Sequence, residues 1–152
     1  MEIVRFGVGH RRPEGPKGTR NVAGQVIHSG GDGAVSELAF GRRAWVEPHS
    51  NPSETWFVVI EGGGFVRVGD EQARVAAGEA VRWPVGVAHA AWTDETPMRA
   101  LVIELSGAAA IVEGQALLLA QGEPPVPRAP SAAGPVGGAS RPRYDPGEGE
   151  PF

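Results

Sequence analysis

The sequence predicts an all-β protein, a sandwich or barrel built around one core. Short segments of alternating apolar and polar residues, about ten of them, recur along residues 1–106. Glycine-rich turn signals separate many of these segments, and the chain of 152 residues contains 23 glycines. Short strands at this spacing are typical of a sandwich or barrel and not of a parallel α/β sheet, in which helices alternate with strands.

The predicted strands follow one another from the amino terminus, and turn residues mark several junctions. Gly30, Gly31 and Gly33 predict a turn between the second and third strands, and Gly69-Asp70 predicts a hairpin. Three glycines at residues 62–64 are interpreted as a link between two strands. The predicted strands cover residues 1–6, 22–29, 34–40, 43–47, 55–61, 65–68, 72–75, 80–83, 88–93 and 98–105.

The composition of the chain changes after Ser106. Residues 107–121 are rich in alanine and leucine and predict a short amphipathic helix, which would cover an open end of the barrel or an edge strand. In residues 122–152 nearly half of the positions are proline or glycine. Such a segment cannot bury enough apolar surface to offset its ordering entropy, so we expect a disordered tail. Residues 1–106 are therefore predicted to be the folded domain.

Charge and composition exclude several classes of protein. The formal net charge is −4 and no basic cluster is present, so neither nucleic acid nor a membrane surface is an expected partner. No apolar run is long enough to cross a bilayer, and the amino terminus lacks the apolar region of a signal peptide. The absence of cysteine excludes disulfides, thiolate catalysis and thiolate metal ligands. We expect a soluble, cytoplasmic protein.

The most informative segment is residues 78–93, which is interpreted as a strand, a turn and a second strand. Pro84 and Gly86 predict a tight turn over residues 83–86, because proline restricts its own φ and glycine accepts a positive φ. His89 follows on the next strand. A histidine positioned by a rigid turn suits a metal ligand or a general base, and the alternative is a histidine satisfied within the core.

This segment resembles the second motif of the cupin family. Gly78, Pro84, Gly86 and His89 match that motif at every spacing, and Thr93 stands where asparagine is usual. The resemblance covers about residues 35–105, with its motif core at 41–93. It implies a double-stranded β-helix, the jelly-roll barrel of cupins. It also implies a homodimer, because cupins of this size often pair through edge strands, and the strand at residues 1–6 could be exchanged between protomers.

The first cupin motif is matched only in part, within residues 48–62. His49 stands at the first histidine position and Gly62 at the closing glycine. Asn51 stands at the second histidine position and Thr55 at the glutamate position, and the leading glycine is missing. An amide or a hydroxyl is a weak ligand for a transition metal compared with imidazole or carboxylate.

The resemblance implies a candidate metal site around His49 and His89. Cupins usually draw three histidines and one glutamate to the metal, and Glu47 or Glu54 would here complete a set of two histidines and one carboxylate. Such a set suits one divalent transition metal, Fe, Ni, Zn or Mn. On an unbroken strand Glu47 shares a face with His49, whereas Glu54 faces the interior only if a bulge reverses the register. A pocket without metal is the open alternative.

Strand alternation selects candidates for the lining of a binding pocket. Trp45 would share a face with His49, and Phe57 would share a face with Thr55. Together with Asn51, these side chains are predicted to contact a small organic molecule.

Three functions remain open from the sequence. The first is a metal-dependent enzyme, an oxygenase or an isomerase, that acts on a small organic molecule. The second is a metal-free barrel in which His49 or His89 acts as a general base. The third is a non-catalytic module that binds or senses a small molecule.

Overall fold

The computed structural model describes residues 1–106, and its regular secondary structure in this range is entirely β-strand. The strands are β1 (Thr19–Gly30), β2 (Gly33–His49), β3 (Glu54–Val68), β4 (Glu71–Ala76), β5 (Ala80–Trp83), β6 (His89–Trp92) and β7 (Met98–Leu105). The predicted helix over residues 107–121 and the predicted tail over residues 122–152 lie outside the described residues. No helix in residues 1–106 has the length and apolar character that crossing a bilayer requires.

Two long strands, β2 and β3, change partners along their length and thereby close the barrel. The first half of β2 pairs with β7, and its last residues pair with β6. Likewise, the first half of β3 pairs with β7 and its second half pairs with β6. β2, β6, β3 and β7 therefore form a closed antiparallel ring, extended by β1 at β2 and by β4 and β5 at β3. The predicted all-β jelly-roll barrel is confirmed.

Residues 1–106 contain seven strands, fewer than predicted, partly because β2 and β3 run through two predicted breaks. Residues 34–40 and 43–47 both belong to β2, and residues 55–61 and 65–68 both belong to β3. Gly62 has a φ of 68°, and a Cβ atom there would collide with the carbonyl oxygen of Pro97. Glycine is therefore required where β3 leaves β7, and the glycine triplet bends one strand instead of linking two.

Alternating side chains of the ring strands point inward and form one apolar core. Residues directly opposite each other on paired strands share a face, so the register identifies the inward set. Burial of this apolar surface drives closure of the barrel. The buried core includes Phe40, Val46, Phe57, Val59, Val66, Trp83, Ala91, Met98, Ala100 and Val102.

The amino-terminal segment is not a strand, so the prediction for residues 1–6 is wrong. Side chains hold its backbone against the outer face of the barrel instead. Gln25 on β1 accepts a hydrogen bond from the backbone N–H of Gly7 at 3.3 Å and donates one to the carbonyl oxygen of Arg5 at 2.8 Å. The homodimer stays a prediction, and a strand at residues 1–6 no longer supports it.

A buried ion cluster on the same outer face anchors this segment. The fully buried Glu37 carboxylate lies 2.8 Å from Arg11 and 2.8 Å from Arg99, and Arg99 also contacts Glu61 at 2.6 Å. Hydrogen bonds from Arg11 lower the pKa of Glu37, burial opposes this shift, and hydrogen bonds from Arg99 add to the lowering. Glu37 is therefore charged near neutral pH and connects the amino-terminal segment, β2 and β7.

Candidate functional site

The turn predicted at residues 83–86 lies one residue further along, at residues 84–87, because Trp83 still belongs to β5, and it sets the position of His89. The backbone N–H of Val87 donates to the carbonyl oxygen of Pro84 at 3.2 Å, and Gly86 has a φ of 71°. The N–H of Gly86 also donates to the carbonyl oxygen of Asn51 at 2.9 Å. This hydrogen bond joins the two segments that resemble the family motifs.

His49 and His89, called the histidine pair below, are brought together by a bulge in β2. Val46 pairs with Ala91, and His49 pairs with His89, so three steps along β2 correspond to two steps along β6. The extra residue places His49 on the inward face. The two ring centroids lie 4.4 Å apart at an interplanar angle of 67°. His89 is buried, with 1% of its surface exposed, and His49 is exposed.

Backbone carbonyls determine which nitrogen of each imidazole carries the proton when the ring is neutral. His89 Nδ1 donates to the carbonyl oxygen of Val87 at 3.0 Å, and His49 Nδ1 donates to that of Glu47 at 2.9 Å. Each neutral ring therefore keeps a lone pair on Nε2. Burial lowers the pKa of His89, a hydrogen bond to Val87 opposes this, and the nearby His49 lowers it further. His89 is therefore neutral near neutral pH.

Trp83 forms one wall of the site and was not selected from the sequence. Its ring stacks on His89 with centroids 4.1 Å apart, and Phe57 stacks on its other side at 4.8 Å. Two buried atoms of this stack, Trp83 Nε1 and His89 Nε2, have no hydrogen-bond partner among residues 1–106. A buried polar group without a hydrogen bond costs about 1–3 kcal/mol of stability, so a hydrogen-bond partner for either atom would be favourable.

Three polar side chains, Asn51, Thr55 and Glu104, lie beside the Trp83–His89 stack and are linked by hydrogen bonds. Asn51 Nδ2 donates to Thr55 Oγ1 at 3.2 Å and to Glu104 Oε1 at 3.5 Å, and Thr55 Oγ1 donates to the carbonyl oxygen of Ser53. Thr55 and Glu104 are directly opposite each other on β3 and β7, and Thr55 also lies opposite Trp83. Glu104 therefore places a carboxylate beside Thr55, the position at which the family carries glutamate.

The two predicted carboxylate ligands do not join the histidine pair. Glu54 lies on the outer face of β3, where its carboxylate contacts Arg82 at 2.6 Å. Hydrogen bonds from Arg82 lower the pKa of Glu54. Glu47 is exposed at the bulge, and its side chain lies beside Gly18. Across the described part of the chain, no three histidine, aspartate or glutamate side chains form a group that could hold a metal ion.

Two predicted pocket residues occupy other positions. Trp45 does not share a face with His49, because the bulge between them reverses the register, and its ring packs against Trp92 at 5.6 Å. Phe57 points inward as predicted but is fully buried between Trp83 and Phe40. It therefore supports the site from the core.

The departure from the second motif at Thr93 has a structural explanation. The buried Thr93 hydroxyl accepts a hydrogen bond from the backbone N–H of Ala44 at 3.0 Å and donates one to the carbonyl oxygen of Gly41 at 2.6 Å. The Thr93 side chain thus links the residue after β6 to β2 through two hydrogen bonds.

Comparisons with known proteins agree with this architecture. The barrel is a double-stranded β-helix, and residues 36–104 match the family model described as "Cupin domain". Residues 36–104 therefore carry a cupin domain. No curated protein matches the sequence.

Several solved structures share the fold. The polyketide cyclase RemF from Streptomyces resistomycificus superposes with a TM-score of 0.61 and 21% identity, covering 70% of this chain and 80% of that one. A cupin-like protein from Thermotoga maritima superposes with a TM-score of 0.60 and 18% identity, covering 67% of this chain and 83% of that one. The DMSP lyase DddQ from Ruegeria pomeroyi superposes with a TM-score of 0.54 and 20% identity, covering 59% of this chain and 49% of that one. Two of these three are named as enzymes, and at such identity the likeness establishes the fold alone.

Proposed function

We propose that this cupin domain binds a small organic molecule at the histidine pair, with His89 Nε2 as the central hydrogen-bond or proton acceptor. The observation that carries the proposal is the unpartnered Nε2 atom of a buried, neutral imidazole. Its Nδ1–H is already donated to Val87, so Nε2 has a lone pair available for a ligand. The exposed His49 ring lies 4.4 Å from the His89 ring, between centroids, and would contact the same ligand.

A screen of small organic fragments by ligand-observed NMR tests this proposal. We expect a subset of fragments to bind the wild-type protein, because the buried acceptor gains a donor when it is occupied. The same fragments are expected to bind Glu54→Gln unchanged, since Glu54 lies on the outer face, and to lose binding to His89→Ala. Absence of any bound fragment, or equal binding to His89→Ala, would contradict the proposal.

A metal-dependent site is the second candidate, and one observation favours it. Metal-ligating histidines usually donate their second ring N–H to a carbonyl or carboxylate, and both members of the histidine pair do so. The residues present fit a divalent transition metal in part, since His49 and His89 would hold it through Nε2. The predicted carboxylate ligands lie elsewhere. A bound metal would supply Lewis-acid polarisation of a ligand oxygen.

Elemental analysis of protein purified without an affinity tag distinguishes the two candidates. For the metal-free site we expect less than stoichiometric metal after incubation with iron(II), nickel, zinc or manganese, because two imidazoles alone form an incomplete ligand set. Stoichiometric metal that is lost in both His49→Ala and His89→Ala would establish the metal-dependent candidate instead. Glu54→Gln serves as the control that retains the wild-type metal content.

A further inference from the structure

The two buried nitrogens of the Trp83–His89 stack have opposite hydrogen-bonding character. Trp83 Nε1–H can only donate. His89 Nε2 can only accept in the neutral ring, because the proton on Nδ1 is donated to Val87. Both atoms are buried and have no partner within the described residues, and the two rings lie nearly parallel with centroids 4.1 Å apart. One small group could therefore meet both requirements.

We infer that the site at the histidine pair selects a ligand with a neutral hydroxyl group, which accepts from Trp83 Nε1–H and donates to His89 Nε2. This inference rests on the proposed function and specifies its ligand. A hydroxyl both donates and accepts, whereas a carboxylate only accepts and an ammonium group only donates. Either ion would leave one nitrogen unmet.

The side chains around the stack do not meet the needs of the two ring nitrogens. Phe57 covers the far side of Trp83, and it is fully buried. The polar side chains beside the stack already bond one another, since Asn51 donates to both Thr55 and Glu104. These side chains do not supply the missing donor or acceptor, so the two ring nitrogens together require a group that both donates and accepts. Trp83 is thus a specificity-determining residue.

A matched series of aromatic probes tests this inference on the wild-type protein. Phenol offers a hydroxyl, anisole offers an acceptor only, benzoate offers a charged acceptor, and toluene offers neither. We expect phenol to bind at least about tenfold more tightly than toluene or benzoate, with anisole in between, because only phenol satisfies both nitrogens. In ¹⁵N-resolved NMR spectra, phenol is expected to shift the Trp83 indole N–H resonance, which is assigned by its absence in Trp83→Phe.

Trp83→Phe keeps a stacking ring but removes the N–H donor. We expect this variant to bind phenol about tenfold more weakly and toluene unchanged. Trp92→Phe is the matched control, because Trp92 packs against Trp45 on the opposite face of the sheet, and it is expected to bind phenol as the wild type does. Thermal unfolding of both variants verifies that they are folded.

Several outcomes would overturn the inference. Equal affinity of the wild-type protein for phenol and toluene would do so, even if Trp83→Phe fails to fold. Unchanged phenol binding by a folded Trp83→Phe would also do so. If water alone bridges the two nitrogens, phenol will neither bind preferentially nor shift the indole resonance. Fragments that need His89 but show no hydroxyl preference would refute this inference and leave the proposed function intact, whereas no binding at all would refute both.

Discussion

Replacing Glu37 by glutamine is expected to lower the free energy of unfolding by about 3 kcal/mol. The carboxylate is fully buried between Arg11 and Arg99, and the neutral amide would remove the negative charge that both guanidinium groups share, leaving Arg99 paired with Glu61 alone. Removing one member of a buried ion cluster is costly because the remaining charge stays desolvated. Urea unfolding near neutral pH measures the loss. The amino-terminal segment should also become more accessible to proteolysis, since Arg11 anchors it.

The same carboxylate makes part of the stability depend on pH. The folded-state pKa of Glu37 lies below the ordinary value of 4.5, so folding favours its charged form. Its contribution is fully present above the unfolded-state pKa and is lost as the pH falls through the folded-state pKa. In that acid range the wild type should therefore lose stability more steeply than Glu37→Gln.

Glu54→Gln provides the matched control for the buried cluster. Glu54 pairs with one arginine, Arg82, and both side chains are partly exposed. Water screens an exposed ion pair of this kind, so Glu54→Gln is expected to lower the free energy of unfolding much less than Glu37→Gln. Equal losses in Glu37→Gln and Glu54→Gln would contradict the role assigned to the buried cluster.

Replacing Phe57 by alanine is expected to lower the free energy of unfolding by about 4 kcal/mol. Its ring is fully buried, stacks on Trp83 at 4.8 Å and meets the edge of Phe40 at 6.0 Å. Truncation leaves a cavity at the centre of the barrel that the closed ring of strands restricts from collapsing. Chemical denaturation provides the measurement. Because Phe57 holds Trp83 against His89, ligand affinity should decrease as well.

Two further substitutions control for this effect. Phe57→Leu retains most of the buried volume and should lose clearly less stability than Phe57→Ala. Val85→Ala, at a residue that is 58% exposed, should change stability little. A loss from Phe57→Ala no larger than that from Val85→Ala would show that the ring does not support the core.

Local sequence patterns predicted most of the strands because alternation and turn residues act over a few positions. The segments 80–83 and 98–105 coincide with β5 and β7. The merging of predicted strands into β2 and β3 was missed, since glycine signals a turn and a bend in a strand equally well. The prediction for residues 1–6 failed because alternation cannot reveal that this segment pairs with no strand of the described part of the chain.

In the candidate site, too, local features could be predicted from the sequence and features that depend on strand pairing could not. The turn before β6 is local, so the position of His89 could be predicted, although the turn lies at residues 84–87 and not at 83–86. The face of His49 could not be read from alternation through Trp45, because the register between β2 and β6 contains a bulge. Trp83 and Glu104 were missed for a related reason. Both lie opposite Thr55, and that relationship arises only from the pairing of β3 with β5 and β7.

The sequence by itself determined the all-β class, the resemblance to cupins, the rigid turn and the two histidines, because spacing and turn chemistry are properties of neighbouring residues. Only the tertiary structure decided that Glu54 and Trp45 lie away from those histidines. It likewise decided that Trp83 stacks on His89, with a buried donor and a buried acceptor that find no partner in residues 1–106. The physical reason is that strand pairing joins residues distant in the chain, and a single bulge reverses which face their side chains occupy.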